Sequence, residues 1–263
     1  MTENLPETQG KLAGLRAATP ARIFLPRAGV TLTTQANLEF QLDHAEARDA
    51  VHARLDVETL IETLRSRGLE AVRLTSAAQD RRTYLLRPDL GRKLDDSSRV
   101  RLAHSAGDYD IVFVIADGLS ARAISSHAIA LLDEALPRFQ RSSWKLAPIL
   151  VVEQGRVAIG DEIGEILGAK LVAMLIGERP GLSSPDSLGV YLTFAPRVGR
   201  TDAERNCLSN IRAQGMSYSE GAQRLFYLCG EARRRKLTGV ELKDETSLAR
   251  RDDQSPRLGD PER

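Results

Sequence analysis

Residues 109–116 read Tyr-Asp-Ile-Val-Phe-Val-Ile-Ala and run directly into Asp117-Gly118-Leu119-Ser120. After the first two positions every side chain is apolar, and the run stops at a turn signal. A strand with one face in water alternates apolar and polar residues, whereas an unbroken apolar run marks a strand covered on both faces, as in a parallel sheet. Working outward, similar runs recur at 146–152 (LAPILVV), 171–176 (LVAMLI) and 187–195 (SLGVYLTFA). Segments of helical character sit between or after them, at about 121–137, 161–168, 201–214 and 218–236. This alternation predicts an α/β fold: a Rossmann-like, mostly parallel sheet with helices on both faces. Ligands in such sheets bind beyond the carboxyl ends of the strands, where successive loops face one crevice. That rule selects 117–120, 154–160, 177–181 and the segment after Ala195.

The amino-terminal hundred residues differ in character. Residues 1–20 read as a flexible arm ending at Pro20. Thr33 or Thr34 can cap a helix running to about Ala53, with Leu38, Leu42 and Ala45 on one face. A second helix, about 57–67, carries Val57, Leu60, Ile61 and Leu64 and ends at Gly68, a residue suited to a left-handed stop. Short strands are expected near 69–75 and 82–86. A small helical/α+β region over 21–100 therefore precedes the sheet domain at 101–238. From Glu241 onward 12 of the 23 remaining residues are charged, so 239–263 reads as a charged, disordered tail.

Composition narrows the function classes. The 263 residues can build one or two domains at ~150 residues each, enough for a true core. Lys+Arg is 37 and Asp+Glu 36, so the net charge is +1; no long-range field draws in polyphosphate, which argues against a dedicated nucleic-acid binder. No stretch reaches the ~20 apolar residues of a membrane span. Residues 1–10 (MTENLPETQG) lack the apolar segment of a secretory signal. Two cysteines, Cys207 and Cys229, cannot form a disulfide scaffold, and four scattered histidines without cysteine partners argue against zinc. The expectation is a soluble cytoplasmic protein.

The loops carry few signatures of known chemistry. Gly155 to Gly160 has the spacing of a phosphate loop, but Asp161 and Glu162 stand where Lys and Ser or Thr would be needed. No G-x-G-x-x-G follows any of the four strands. Ser120 lacks the G-x-S-x-G setting of a nucleophile and reads as a helix N-cap. Gly177-Glu178-Arg179-Pro180-Gly181 carries two charges out of a buried strand into a rigid turn. Its charges are either solvated loop groups or part of a site in which Glu178 accepts from a donor-rich ligand. Cys207, on an expected helix among Asn206, Ser209 and Asn210, reads as a small packed residue and not a reactive thiol.

Read together, these stretches resemble one family. Pro26-Arg27-Ala28-Gly29, Thr34-Gln35-Ala36 with Asp43-His44, and Leu86-Arg87-Pro88-Asp89-Leu90-Gly91-Arg92 look like the small subunit of ethanolamine ammonia-lyase. Asp117 to Ser120, Gly155-Arg156-Val157, Ile163 to Lys170, Gly177 to Leu182, and Asn206-Cys207 through Ile211 continue the match over roughly 20–238. The resemblance implies an adenosylcobalamin-dependent lyase that converts ethanolamine to acetaldehyde and ammonia by a radical mechanism. It further implies a TIM-barrel large subunit that binds substrate and carries the catalytic side chains, with the corrin between the two subunits and its lower base retained. Family cofactor contacts fall on Val157, Glu178 and Cys207, with Arg156 a further candidate; no catalytic or metal-ligating residue falls on this chain. No membrane or nucleic-acid partner is implied. The amino end is shorter than in members whose extension serves encapsulation in a bacterial microcompartment. The competing reading is a non-catalytic Rossmann-like module for another nucleotide or partner protein; a self-contained hydrolase using Ser120 is a third.

Overall fold

The sheet is built as the apolar runs require. In this computed structural model, which describes residues 14, 15, 18, 19 and 22–246, a small hairpin of β1 (Arg27–Ala28) and β2 (Thr31–Leu32) leads into α1 (Thr34–His52). Then follow α2 (Val57–Ser66), β3 (Ala71–Thr75), α3 (Arg81–Leu86), α4 (Asp96–Ala103), β4 (Tyr109–Ala116) and α5 (Ala121–Arg141). The chain continues through β5 (Ile149–Glu153), α6 (Ile159–Leu167), β6 (Ala169–Gly177), β7 (Leu188–Phe194), β8 (Arg205–Ile211) and α7 (Tyr218–Arg235). Six strands form one sheet in the order β3-β5-β4-β6-β7-β8. β3, β5, β4 and β6 run parallel, while β7 and β8 are added by antiparallel pairing. β3, from the stretch assigned above to the amino-terminal region, is thus an edge strand of the main sheet.

Both faces are covered, which is why β4 and β6 carry continuous apolar runs. On one face α2, α5 and α7 pack over Ile111, Phe113, Ile115, Ala173 and Leu175. Phe139 is the anchor there, meeting Phe113, Trp144 and Phe226 edge to face at centroid distances of 5.3, 5.2 and 5.1 Å. On the other face α4 and α6 cover Val112, Val114, Val172 and Met174 through Leu102, Ile159, Ile163 and Leu167.

Several local expectations hold. Thr33 caps α1 by accepting from the Ala36 N–H, α2 buries Val57, Leu60, Ile61 and Leu64, and Gly68 takes φ +72°. Others are corrected. Residues 82–86 are helical because the Asp80 side chain caps the segment through the Thr83 N–H. Leu38 and Leu42 do not face the core: both are exposed, and α1 buries only Ala36 and Ala50. Its spacing is that of an amphipathic helix, but its apolar side is not covered by the described part of this chain.

The expected helix at 201–214 is a short 3-10 turn followed by strand β8. Arg205, Leu208 and Ile211 are buried at every third position, a spacing that mimics a helix. Two things produce it. From Arg205 to Leu208 the register is regular, so Arg205 meets Asp161 on the α6 face while Leu208 enters the core on the other face. A bulge between the pairs Val190–Leu208 and Leu188–Ile211 then adds one residue, with Asn210 at φ +60°, and returns Ile211 to that core. Because β7 runs antiparallel, the segment after Ala195 leaves from the amino end of the parallel strands, where Ala195 N donates to Lys170 O. Part of the expected tail packs: Leu242 is buried, and its carbonyl accepts from Asn206 Nδ2 at 2.6 Å. The rest of that tail and most of the 1–20 arm lie outside the described residues.

Candidate functional site

Three parallel strands end side by side, and their loops open one groove of about 1210 Å³ on the α6 face of the sheet. Gly118 and Leu119 follow β4, Arg156 and Val157 follow β5, and Glu178 and Arg179 follow β6. Tyr191 on β7 lines the same space, Tyr84 borders it from α3, and residues 198–202 reach it across α6. The segment after Ala195 therefore does border the crevice, arriving from the opposite end of the sheet.

Glu178 is held in the groove by three hydrogen bonds. Its Oε1 accepts from Ser209 Oγ at 2.6 Å, and its Oε2 accepts from Ser187 Oγ at 2.5 Å and Asn210 N at 3.2 Å. The β8 bulge supplies two of these donors, since it turns Ser209 and Asn210 toward the loop. Gly189 makes the room: a Cβ there would lie 2.9 Å from Glu178 Oε1. Two carboxylate oxygens offer about four lone-pair sites, so three donors leave one for an outside N–H.

Val157 is half-buried in the turn before α6, where its carbonyl accepts from Gly160 N at 3.1 Å. Cys207 is on a strand and exposed, opposite Tyr191 across the β7–β8 pair. Partial desolvation of the sulfur raises its thiol pKa, the Tyr191 hydroxyl opposes this by donating to the sulfur, and the charge of Glu178 raises it further. Glu178 and Val157 thus line the groove from the β6 and β5 loops, whereas Cys207 is not among its lining residues and stands beside it, next to Tyr191.

Reading the sequence for motifs missed a polar cluster behind Val157. The Tyr84 ring lies between two guanidinium groups, Arg81 at 4.8 Å and Arg156 at 4.5 Å, and its hydroxyl donates to Gly155 O at 3.2 Å. Burial pushes the Tyr84 hydroxyl up to about 12. Arg81 also donates to Gly118 O at 2.7 Å and lies 3.5 Å from Asp117, whose carboxylate accepts from Gly155 N. These bonds tie the β4 and β5 loops together. Burial raises the Asp117 pKa to about 6 despite Arg81. Arg156 Nε is buried without a hydrogen-bond partner. The signal for these residues was weak because Arg81 and Tyr84 sit on a helix far in sequence from the strand loops they brace.

Asp161 and Glu162, the carboxylates that disqualified a phosphate loop, are structural. Asp161 forms a two-pronged pair with Arg205 at 2.6 and 2.7 Å, both side chains 2% exposed. Glu162 accepts from Leu94 N and Arg99 Nε. Ser120 is the α5 N-cap, accepting from Ala123 N. Among the described residues no group of three or more His, Cys, Asp or Glu could hold a metal ion, and no helix is long and apolar enough to cross a membrane.

The groove offers one spare acceptor site on Glu178, a buried donor without a partner on Arg156 and the apolar side chain of Val157, a set that suits a ligand with amide N–H and carbonyl groups on an apolar body.

Comparison with known proteins identifies the family. Residues 9–243 match the family model described as ethanolamine ammonia-lyase light chain (EutC). A protein of Azotobacter vinelandii named ethanolamine ammonia-lyase small subunit is 56% identical over 256 residues, covering 96% of this chain and 95% of that one. Proteins of the same name from Xanthomonas campestris and Pseudomonas aeruginosa are 57% identical over 237 residues and 53% over 249. They cover 89% and 93% of this chain, and 87% and 91% of their own lengths. With identity this high along almost the whole length, the chain belongs to the ethanolamine ammonia-lyase light-chain family.

Proposed function

We propose that this chain is the cofactor-binding small subunit of an adenosylcobalamin-dependent ethanolamine ammonia-lyase. The assembled enzyme converts ethanolamine to acetaldehyde and ammonia, and the large subunit carries substrate and catalytic side chains. Adenosylcobalamin, held between the subunits, would supply the radical chemistry. The chain's own residues bind and orient. Glu178 accepts an amide N–H of a corrin arm, a charge-assisted bond of about 1.5–3 kcal/mol. Val157 presents an apolar side chain and backbone groups to the macrocycle, and Cys207 is small enough to allow close approach. Arg156 can donate to an amide carbonyl.

The observation that carries this reading is the Glu178 carboxylate, fixed by three donors at the mouth of the crevice with one acceptor site to spare. Co-expression with a large subunit should give acetaldehyde formation that depends on added adenosylcobalamin, and this chain alone should give none. Glu178→Ala should raise the half-saturating cofactor concentration about tenfold, corresponding to the loss of ~1.4 kcal/mol. Unchanged cofactor affinity in that variant would remove Glu178 from the site. Protection of the chain from thermal unfolding by NAD or ATP, with no effect of adenosylcobalamin on the complex, would favour a module for another nucleotide.

A further inference from the structure

The loop between β6 and β7 holds Glu178 at its start and Ser187 at its end, and the two ends are bonded twice. Glu178 N donates to Ser187 O at 2.9 Å, and Ser187 Oγ donates to the Glu178 carboxylate. The position of Glu178 therefore depends on where the closing end of the loop is held. That end is fastened to α5 by two buried side chains. Ser120 Oγ, fully buried, donates to Pro185 O at 2.8 Å. His127, 5% exposed, places Nε2 at 3.1 Å from Asp186 Oδ2 and Nδ1 at 2.9 Å from the Tyr218 hydroxyl. One neutral tautomer satisfies both contacts: Nε2–H donates to the carboxylate while Nδ1 accepts from Tyr218. None of these groups lines the groove.

We propose that Ser120, His127 and Asp186 form a clamp that positions the Glu178 carboxylate in the groove. They are positioning residues, acting through Pro185–Ser187 and touching no ligand. The consequence for affinity rests on the cofactor reading given above; the placement of Glu178 does not.

The test uses the complex with the large subunit. Asp186→Ala removes the accessible half of the clamp and leaves the α5 core intact; Asp186→Asn keeps an acceptor for His127. Hydrogen exchange without cofactor reads position: in Asp186→Ala the amides of Glu178 and Asn210 should exchange faster, and in Asp186→Asn they should not. Spectral titration with hydroxocobalamin reads affinity. Asp186→Ala should weaken binding about tenfold, raise the half-saturating adenosylcobalamin concentration similarly, and leave kcat at saturating cofactor unchanged. In a Glu178→Ala background the same substitution should have no further effect on binding. Unaltered exchange in Asp186→Ala overturns the clamp. So does a binding loss that adds to that of Glu178→Ala, or unchanged binding in Asp186→Ala where Glu178→Ala binds weakly. If exchange quickens while neither substitution changes cobalamin binding, the clamp stands and the cofactor reading fails.

Discussion

Gly118 and Gly177 meet backbone against backbone at the floor of the groove. A Cβ on Gly118 would lie 2.3 Å from Gly177 O, the atom that accepts from Leu119 N at 2.9 Å, and Gly118 itself has φ +55°. A Cβ on Gly177 would lie 2.0 Å from Ser120 O and 2.6 Å from Asp117 O. All these atoms are backbone, so no side chain can swing aside. Gly177→Ala must push the β4 and β6 loops apart, and it should cost roughly 2–4 kcal/mol in urea unfolding. Gly230, in α7 with nothing within 4 Å of its Cβ position, is the control: Gly230→Ala should be neutral or stabilise by up to ~1 kcal/mol. A mild Gly177→Ala would mean that the two loops are free to separate.

Asp117 gives the groove a pH dependence of defined sign. Its carboxyl is raised from 3.8 to about 6, chiefly by burial. A raised acid binds its proton more tightly in the folded chain, so its stabilising contribution is full below pH 4 and is lost as pH climbs through 6. The loss is roughly 3 kcal/mol at most. Asp117→Asn removes this titration. The melting temperature of Asp117→Asn minus that of the parent chain should therefore rise between pH 4.5 and pH 7; a flat difference would mean that Asp117 stays ionised throughout.

The parallel part of the fold could be read from the sequence because burial on both faces leaves a one-dimensional trace, the unbroken runs of β4, β5 and β6. β7 leaves the same trace, but its direction depends on a hairpin whose closure is tertiary, and the runs alone do not distinguish it from a crossover. β8 was hidden because Arg205 and Leu208 are buried on opposite faces of the sheet and a bulge then turns Ile211 inward, an every-third burial that looks helical. The site divides in the same way. Glu178 and Val157 stand next to strand ends and were found by position; Ser209 and Asn210, which hold Glu178, lay on the misread strand. Arg81 and Tyr84 could not be placed because their contacts with Gly118 and Gly155 span 37 and 71 residues.

The Asp161–Arg205 pair joins α6 to β8 beneath the groove, and Thr193 Oγ1 and Arg200 O accept from the same guanidinium. Removing one partner of a buried pair leaves the other charge without compensation, typically at a cost of ~3–5 kcal/mol. Asp161→Asn should lower stability by about that amount, and Asp202→Asn, altering an exposed neighbour 3.5 Å from Arg205 Nε, by less than ~1 kcal/mol. Equal effects would show that the enclosed pair has no special weight.

Leu38 and Leu131 separate helix faces that look alike in sequence. Leu38 is 58% exposed on α1, and Leu131 is 1% exposed on α5 within the larger core. In the isolated chain Leu131→Ala should cost about 2–5 kcal/mol, and Leu38→Ala should stay within ~0.5 kcal/mol. A large cost for Leu38→Ala would show that α1 packs inward, as its apolar spacing first implied.

Cys207 offers a chemical readout beside the groove, next to Tyr191. It is exposed and Cys229 is buried, so iodoacetamide should modify one thiol per native chain, and peptide mapping should find it at 207. Only the thiolate reacts, and desolvation holds the Cys207 pKa above 9.0, so labelling at pH 8 should be slower than for free cysteine. The two neighbours act in opposite senses. Tyr191→Phe removes the donated hydrogen bond and should slow labelling further; Glu178→Gln removes a negative charge and should speed it. If Cys207 contacts the cofactor as proposed, the rate should fall in every variant once the large subunit and cobalamin are bound. Equal labelling of both cysteines, or a faster rate in Tyr191→Phe, would contradict this placement of the sulfur between Tyr191 and Glu178.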